Sequence, residues 1–299
     1  MKFLLFSDLH HGPCRFPGRA EGALEEFLEA AKRENCDFII HAGDLCGGPT
    51  EVPEYVEKYN NLDLPTYHCI GNHDADHSSY EDVLRLYGLE NDYYYFDRGS
   101  YRFIVMNPNY YLEDGKYIHY SMSNYYGKSR DHVPPEQLLW LSETIESSPF
   151  PCVIISYQSF ERETGVKNRQ DVLNIINEAN KRRPHSVIFC INGHTHGDYL
   201  RILNGVCFFD INSASNLALD NPHKLYPCEN DDEYRHSRCC VMYTDKIYAI
   251  ITLEGTTIDI KGMDTTYYLG ITPEMTGNSV YDDDSRAVRP SILSANIEL

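Results

Sequence analysis

An α/β fold with some antiparallel strand pairs is predicted for this 299-residue chain by three observations. Strand-like apolar runs alternate with stretches of helical periodicity. Five of the runs lead directly into short polar clusters. The last regular stretch is a β-rich meander. With 42% hydrophobic residues the chain can build a sizeable core, and its mean hydropathy of −0.47 is that of a soluble protein.

The first strand is KFLLF, running straight into Asp8-Leu9-His10. GALEEFLEAAKREN then places Leu24, Phe27, Leu28 and Ala31 on one helical face. DFIIHA is a strand ending at Gly43-Asp44, EVPEYVEKYNNL a helix, and PTYHCI a strand leading to Gly71-Asn72-His73-Asp74. SSYEDVLRLYGL opens on Ser78-x-x-Glu81, a capping-box pattern, and carries Val83, Leu84 and Leu86. DYYYFDRG and YRFIVMNPN are strands joined in a hairpin around Gly99. Residues 110–133, rich in tyrosine and serine, show neither period and are expected to form a long loop near the site.

The prolines of PPEQLLWLSETIESS mark a helix start, with Leu138, Leu141 and Ile145 on its buried face. The strand CVIIS leads to Ser156-Tyr157-Gln158. A helix over NRQDVLNIINEANKR precedes the strand SVIFCI and Gly193-His194-Thr195-His196. RILNGVCFFDINSAS reads as a hairpin and strand, and CCVMYTDKIYAIITLEGTTIDIKG as the closing meander. We expect one domain over residues 1–263. Residues 264–299, with the acidic run Asp282, Asp283 and Asp284, form an extension packed on it or partly disordered.

The net charge of −19 argues against an extended nucleic-acid surface. It is compatible with a small-molecule phosphoester held by metal cations, which neutralise the site locally. No run approaches the ~18 apolar residues of a membrane span. Several of the ten cysteines (Cys69, Cys152, Cys190, Cys207) lie in strands as small hydrophobes, and Cys239-Cys240 lacks the spacing of a zinc knuckle. Reduced thiols and a cytoplasmic location are expected.

Segments leaving neighbouring strand ends of an α/β sheet converge on one edge, where ligands bind. Carboxylates, imidazoles and an amide gathered there, without cysteine, suit one or two N/O-preferring divalent metals. Each cluster alone has a plain alternative: a turn-capping Asp8, a surface His10, an Asp44 in a turn, a satisfied polar histidine. Asp8 and His10 leave the strand end toward one point, with Leu9 turned the other way, while His194 and His196 alternate along extended chain so as to reach two neighbouring metals.

D-x-H, G-D, G-N-H-D and G-H-T-H, in this order over roughly the first two thirds of the chain, resemble the calcineurin-like metallophosphoesterase superfamily. The resemblance implies a four-layer sandwich of two mixed β-sheets flanked by helices. It implies two divalent or mixed-valence metal ions (manganese, iron or zinc), and hydrolysis of a phosphoester, diester or monoester, by a metal-activated water. Asp8, His10 and His196 are then ligands of the first metal, Asp44 the bridge, and Asn72 and His194 ligands of the second. His73 is the catalytic histidine, with Asp74 expected to orient it.

The fourth cluster departs from the family, which has a histidine ligand there. Tyr157 takes that position, and a one-residue shift places Gln158 there instead. A phenol ionising near pH ~10 is a poor ligand for manganese or zinc and better matched to ferric iron. The second site is therefore expected to be weak, unusual in its metal, or empty. The alternative reading is a non-catalytic or mononuclear metal or phosphoester binder. His11, His68, His77, His132 and His223 fit no motif, with His11 and His77 nearest to one. Asn107, Asn109 and Asn212 follow strands at the pocket, and Tyr110, Tyr111, Tyr125 and Tyr126 offer either aromatic walls or a surface loop.

Overall fold

Side-chain parity along the strands builds the layers in this computed structural model, which describes residues 1–12, 20–218, 240–272, 275 and 289–299. In β1 (Lys2–Phe6), Phe3 and Leu5 point to one face and Leu4 and Phe6 to the other. β1 pairs in parallel with β2 (Phe38–His41), and β2 with β3 (Thr66–His68).

The second sheet is founded on β4 (Tyr94–Arg98) and β5 (Tyr101–Met106), an antiparallel hairpin turning at Gly99. β6 (Tyr110–Glu113), β7 (Lys116–His119) and β8 (Ser129–Arg130) form a separate three-stranded sheet in the order β7-β6-β8. This corrects the expected structureless loop. The hairpin signal was Asp114-Gly115, whose φ values of 50° and 74° are those of a type I′ turn.

β9 (Cys152–Ser156) and β10 (Val187–Asn192) continue the second sheet in parallel with β5. β11 (Tyr199–Leu203) turns at Asn204-Gly205 into β12 (Val206–Asp210), which lies parallel to β10. β13 (Asn216–Ala218) pairs with β14 (Cys240–Met242). β15 (Ala249–Glu254), β16 (Thr257–Lys261) and β17 (Ala295–Glu298) extend the first sheet antiparallel beside β1. The two large sheets are thus ordered β17-β16-β15-β1-β2-β3 and β11-β12-β10-β9-β5-β4. β17 was not foreseen: it brings the C-terminal residues onto the first sheet.

The sheets pack face to face through Phe3, Leu5, Phe38, Ile40, Phe103, Val153, Ile155 and Phe209. On the outer face of the first sheet lie α1 (Ala23–Arg33), α2 (Pro53–Asn60) and α3 (Tyr80–Tyr87), which bury Leu24, Phe27, Val56, Tyr59 and Val83 against Leu4, Phe6 and Ile39. On the other outer face lie α4 (Pro135–Ser147) and α5 (Arg169–Arg182), packed on Ile104, Ile154 and Cys190. The result is the expected four-layer sandwich. The α3 cap sits one residue later than the sequence pattern indicates. Ser79 accepts from the Asp82 amide, while Ser78 Oγ accepts from the Thr50 amide. Among the described residues no helix is long and apolar enough to cross a membrane. His223, Cys239 and the acidic run 282–284 lie outside the described residues.

A buried histidine pair braces the ends of β2 and β3. Gly43 N–H donates to His41 Nδ1 (3.2 Å), so a neutral His41 carries its proton on Nε2 and donates it to His68 Nδ1 (2.8 Å). His68 then donates from Nε2 to Asn60 Oδ1 (2.6 Å), whose Nδ2 is held by the Leu86 carbonyl. Every nitrogen is used in the neutral tautomers, and burial pushes the pKa of His41 down to about 3 and that of His68 well below the imidazole range. The unfolded chain binds these protons near pH 6.5 and the folded chain does not, so stability is complete above that pH and falls as pH drops below it. Urea denaturation at pH 5.5 should show about 1.4 kcal/mol less stability per histidine than at pH 7.5. Titration of either ring near pH 6 in the folded protein, followed by its NMR resonances, would contradict this.

Candidate metal centre

The ends of β1, β2, β3, β9 and β10 meet at one edge, and backbone bonds beyond the strands knit the connecting loops together. Asp8 N–H donates to the Gly43 carbonyl (3.0 Å), His10 N–H to Asp44 (3.0 Å), and Gly193 N–H to Tyr157 (3.1 Å). Asp8, His10, Asp44, His194 and His196 all have left-handed φ, between 48° and 75°. Non-glycine residues adopt this conformation at a cost, and such strain concentrates at functional sites. It also corrects the expected geometry: Asp8 and His10, and likewise His194 and His196, lie in left-handed turns and do not alternate in extended chain.

Asp8, His10 and His196 form a buried cluster, each offering one ligand atom within 4.8 Å of the others. The Nε2 atoms of His10 and His196 lie 3.1 Å apart, and Asp8 Oδ1 is 3.2 Å from His196 Nε2 and 3.8 Å from His10 Nε2. Donors on a divalent cation with bonds of about 2.1 Å stand roughly 3.0–3.5 Å apart. The two separations from His196 match this and the Asp8–His10 separation is slightly wider, so a small closure of the set would hold one ion. His196 is fixed in the required tautomer, because its Nδ1 faces the Asn216 carbonyl (3.1 Å) and must carry the proton. Burial opposes ionisation of Asp8, but the His196 ring, Ser7 Oγ (2.6 Å) and the Tyr157 phenol hold its carboxyl below the ordinary value.

Tyr157 follows β9, and its phenol is a hydrogen-bond donor to the carboxylates. Its Oη is 2.6 Å from Asp8 Oδ1 and also bonds Asp44 Oδ2. Burial, with these two carboxylates, pushes the phenol's pKa well above its usual value. One proton is shared among three oxygens, so Tyr157 sits there as a neutral phenol. Its ring packs against Gly43, where a Cβ would come within 2.1 Å of Cδ2, which makes glycine obligatory at that position. Gln158 is buried, with Nε2 directed to Asn109 Oδ1 (2.8 Å) and Asp131 Oδ1 (3.0 Å).

The other donors surround this group. Asp44 Oδ2 is 3.8 Å from His10 Nε2, and Asp44 Oδ1 accepts from the His73 amide (2.8 Å). The backbone N–H of His194 donates to Asp8 Oδ2 (3.1 Å), its ring packs edge-on to Tyr157 (4.9 Å), and burial holds it below the usual imidazole range. Asn72 Nδ2 donates to Tyr125 Oη (3.1 Å), and its buried Oδ1 has no hydrogen-bond partner among the described residues. The His73 ring faces His10 at 5.3 Å.

Asp74 does not orient His73. Its fully buried carboxylate accepts from the Gly71 amide (2.8 Å), the Cys46 amide (3.2 Å) and the Tyr87 hydroxyl (2.7 Å), holding the turn together, and burial raises its pKa. The carboxylate on His73 Nδ1 is Asp76, at 2.5 Å. Sequence reading missed Asp76; the signal available was its i+3 position on the single helical turn His73–Ala75. His11 stacks on Tyr55 (3.7 Å), His132 pairs with Ser129, and His77 is exposed. Asn107, Asn109 and Asn212 are buried and bonded within the fold. Tyr110, Tyr111 and Tyr125 are buried too, leaving Tyr126 as the exposed ring of the four.

The chain matches the calcineurin-like phosphoesterase family model over residues 1–198. No curated protein matches its sequence. The fold is similar to that of a dimetal phosphatase from Danio rerio, with a TM-score of 0.59 and 14% identity over 91% of this chain and 99% of that one. It is also similar to GAP50, the anchor in the inner membrane complex of Plasmodium, with a TM-score of 0.52 and 12% identity over 91% and 86% of the two chains. The family match covers the four ordered motifs and the strand ends that carry them, and the chain belongs to the calcineurin-like phosphoesterase family.

Proposed function

We propose that this protein hydrolyses small-molecule phosphoesters, diesters in preference to protein phosphates, at a centre built on one divalent cation held by Asp8, His10 and His196. The observation that carries this reading is the buried cluster of those three side chains, at cation-binding separations, within a calcineurin-like phosphoesterase chain. A cation there would supply Lewis acidity toward the phosphoryl group and activate water. The protein's part is to fix the donors, exclude bulk water and present His73 to the leaving oxygen. The net charge of −19 favours a compact substrate over a nucleic-acid strand. The seven buried free cysteines among the described residues support a reducing, cytoplasmic setting.

Tyr157 is the reason for assigning one cation. Its shared proton joins Asp8 and Asp44, the carboxylates that the family resemblance makes metal ligands. A neutral phenol leaves Asn72, His194 and Asp44 short of a strong donor. The buried Asn72 Oδ1, without a hydrogen-bond partner among the described residues, favours a second cation.

The test is turnover of bis(4-nitrophenyl) phosphate by manganese-supplemented protein. Asp44→Asn and His73→Ala should each reduce kcat by about 100-fold or more, and only Asp44→Asn, which disturbs the Tyr157 hydroxyl bridge to the ligand Asp8, should also weaken metal binding. Full activity in both variants would refute the site.

A further inference from the structure

We propose that Asp76 is the positioning residue for His73, and that Tyr125, delivered by the β6–β8 insertion, locks Asp76 and Asn72 into one unit. This rests on the hydrolase reading above and assigns a role to a segment that reading does not use.

The geometry is complete from the insertion inward. Tyr125 Oη donates to Asp76 Oδ1 (2.6 Å) and accepts from Asn72 Nδ2 (3.1 Å), so one buried hydroxyl bridges the residues on either side of His73. Ser123 Oγ donates to the Asp76 carbonyl (2.7 Å), and Tyr126 Oη reaches Asp76 Oδ2 (3.3 Å). The backbones are pinned as well: Met122 N–H to the Ser78 carbonyl (3.0 Å) and Ser123 N–H to Ala75 (3.1 Å). Met122 and Ser123 hold left-handed φ of 50° and 62° to do this.

Tyr125 is itself wedged. It is fully buried and stacks on Tyr120 (4.1 Å), whose hydroxyl bonds Asp131 Oδ1 (2.9 Å), the same oxygen that Gln158 Nε2 reaches. The insertion therefore ties the loop after β3, which carries His73 and Asp76, to the loop after β9, which carries Gln158.

Asp76 Oδ2 accepts, so His73 Nδ1 carries a proton, and Nε2 is the nitrogen assigned to act on the substrate. In the reaction, a water oxygen bonds phosphorus and releases a proton to solvent. The phosphorus–leaving-oxygen bond breaks as that oxygen takes the Nε2 proton of a doubly protonated His73 ring, which is left neutral with its remaining proton on Nδ1 facing Asp76, and solvent restores the second proton. A carboxylate at Nδ1 matters most when the leaving oxygen is basic and needs that proton.

The experiment compares bis(4-nitrophenyl) phosphate with diphenyl phosphate, whose leaving group is more basic, in wild type, Asp76→Asn and Tyr125→Phe. Each chain is also labelled with ¹⁵N-histidine for NMR in the metal-free state. Asp76→Asn should reduce kcat about 100-fold on diphenyl phosphate and about tenfold or less on the nitrophenyl ester, with KM little changed. Tyr125→Phe should show the same pattern, weaker. The His73 Nδ1–H signal should be present in wild type and shifted or lost in Asp76→Asn. Equal losses on both esters, or a wild-type His73 without a proton on Nδ1, would overturn the proposal. If wild type cleaves neither ester, the hydrolase reading fails, and the NMR arm alone decides whether Asp76 positions His73.

Discussion

Replacing His196 with alanine is expected to strip the metal from the protein and reduce phosphodiester turnover about 1,000-fold, a loss of about 4 kcal/mol in transition-state stabilisation. His196 Nε2 lies within 3.2 Å of both other donors, and its tautomer is set by Asn216, so no neighbour can take its place. His194→Ala is the informative companion. His194 lies outside the three-residue cluster and packs against Tyr157. It should therefore leave metal content unchanged while lowering turnover less. Metal content after gel filtration, by elemental analysis, checks both. Equal metal loss in the two variants would mean that His194 belongs to the primary ligand set.

Replacing Tyr157 with histidine should raise metal content from one equivalent to two. The imidazole would face Asp44, with Asn72 and His194 nearby, and would add the donor that the neutral phenol does not supply. Tyr157→Phe works in the opposite direction. It removes the shared proton between two fully buried carboxylates and leaves their repulsion uncompensated. In the metal-free protein this should cost about 3 kcal/mol of stability, and saturating metal should restore part of it. Unchanged metal content in Tyr157→His, together with unchanged metal-free stability in Tyr157→Phe, would show that the phenol does not occupy a cation's place.

Much of this was legible in the sequence because the strands are nearly continuous apolar runs and the polar clusters begin where those runs stop. KFLLF and CVIIS needed no long-range information to be read as buried strands. What the chain could not announce was conformation at single residues. Nothing in D-x-H or G-H-T-H indicates left-handed φ at both ends of the motif, because that strain is imposed by the packed loops around it. Asp74 was the natural partner for its neighbour His73, yet a turn of 3₁₀ helix brings the i+3 carboxylate round instead, and Asp74 is consumed by two amides and a hydroxyl. The β6–β7 hairpin was missed although Asp114-Gly115 signalled it, because tyrosines on both faces hid the alternation. β17 is four residues long and is made by its neighbour β16, so no local pattern could have found it. Tyr157 was legible as a departure, but only the geometry gave its role as a donor between two carboxylates.

The most direct measurement is the metal content of the wild-type chain, by elemental analysis after purification without chelators from manganese- and iron-supplemented growth. One equivalent per chain, without the colour of an iron phenolate, is the predicted result. Two equivalents would contradict the single-cation centre, and none would contradict the assignment of Asp8, His10 and His196 as ligands.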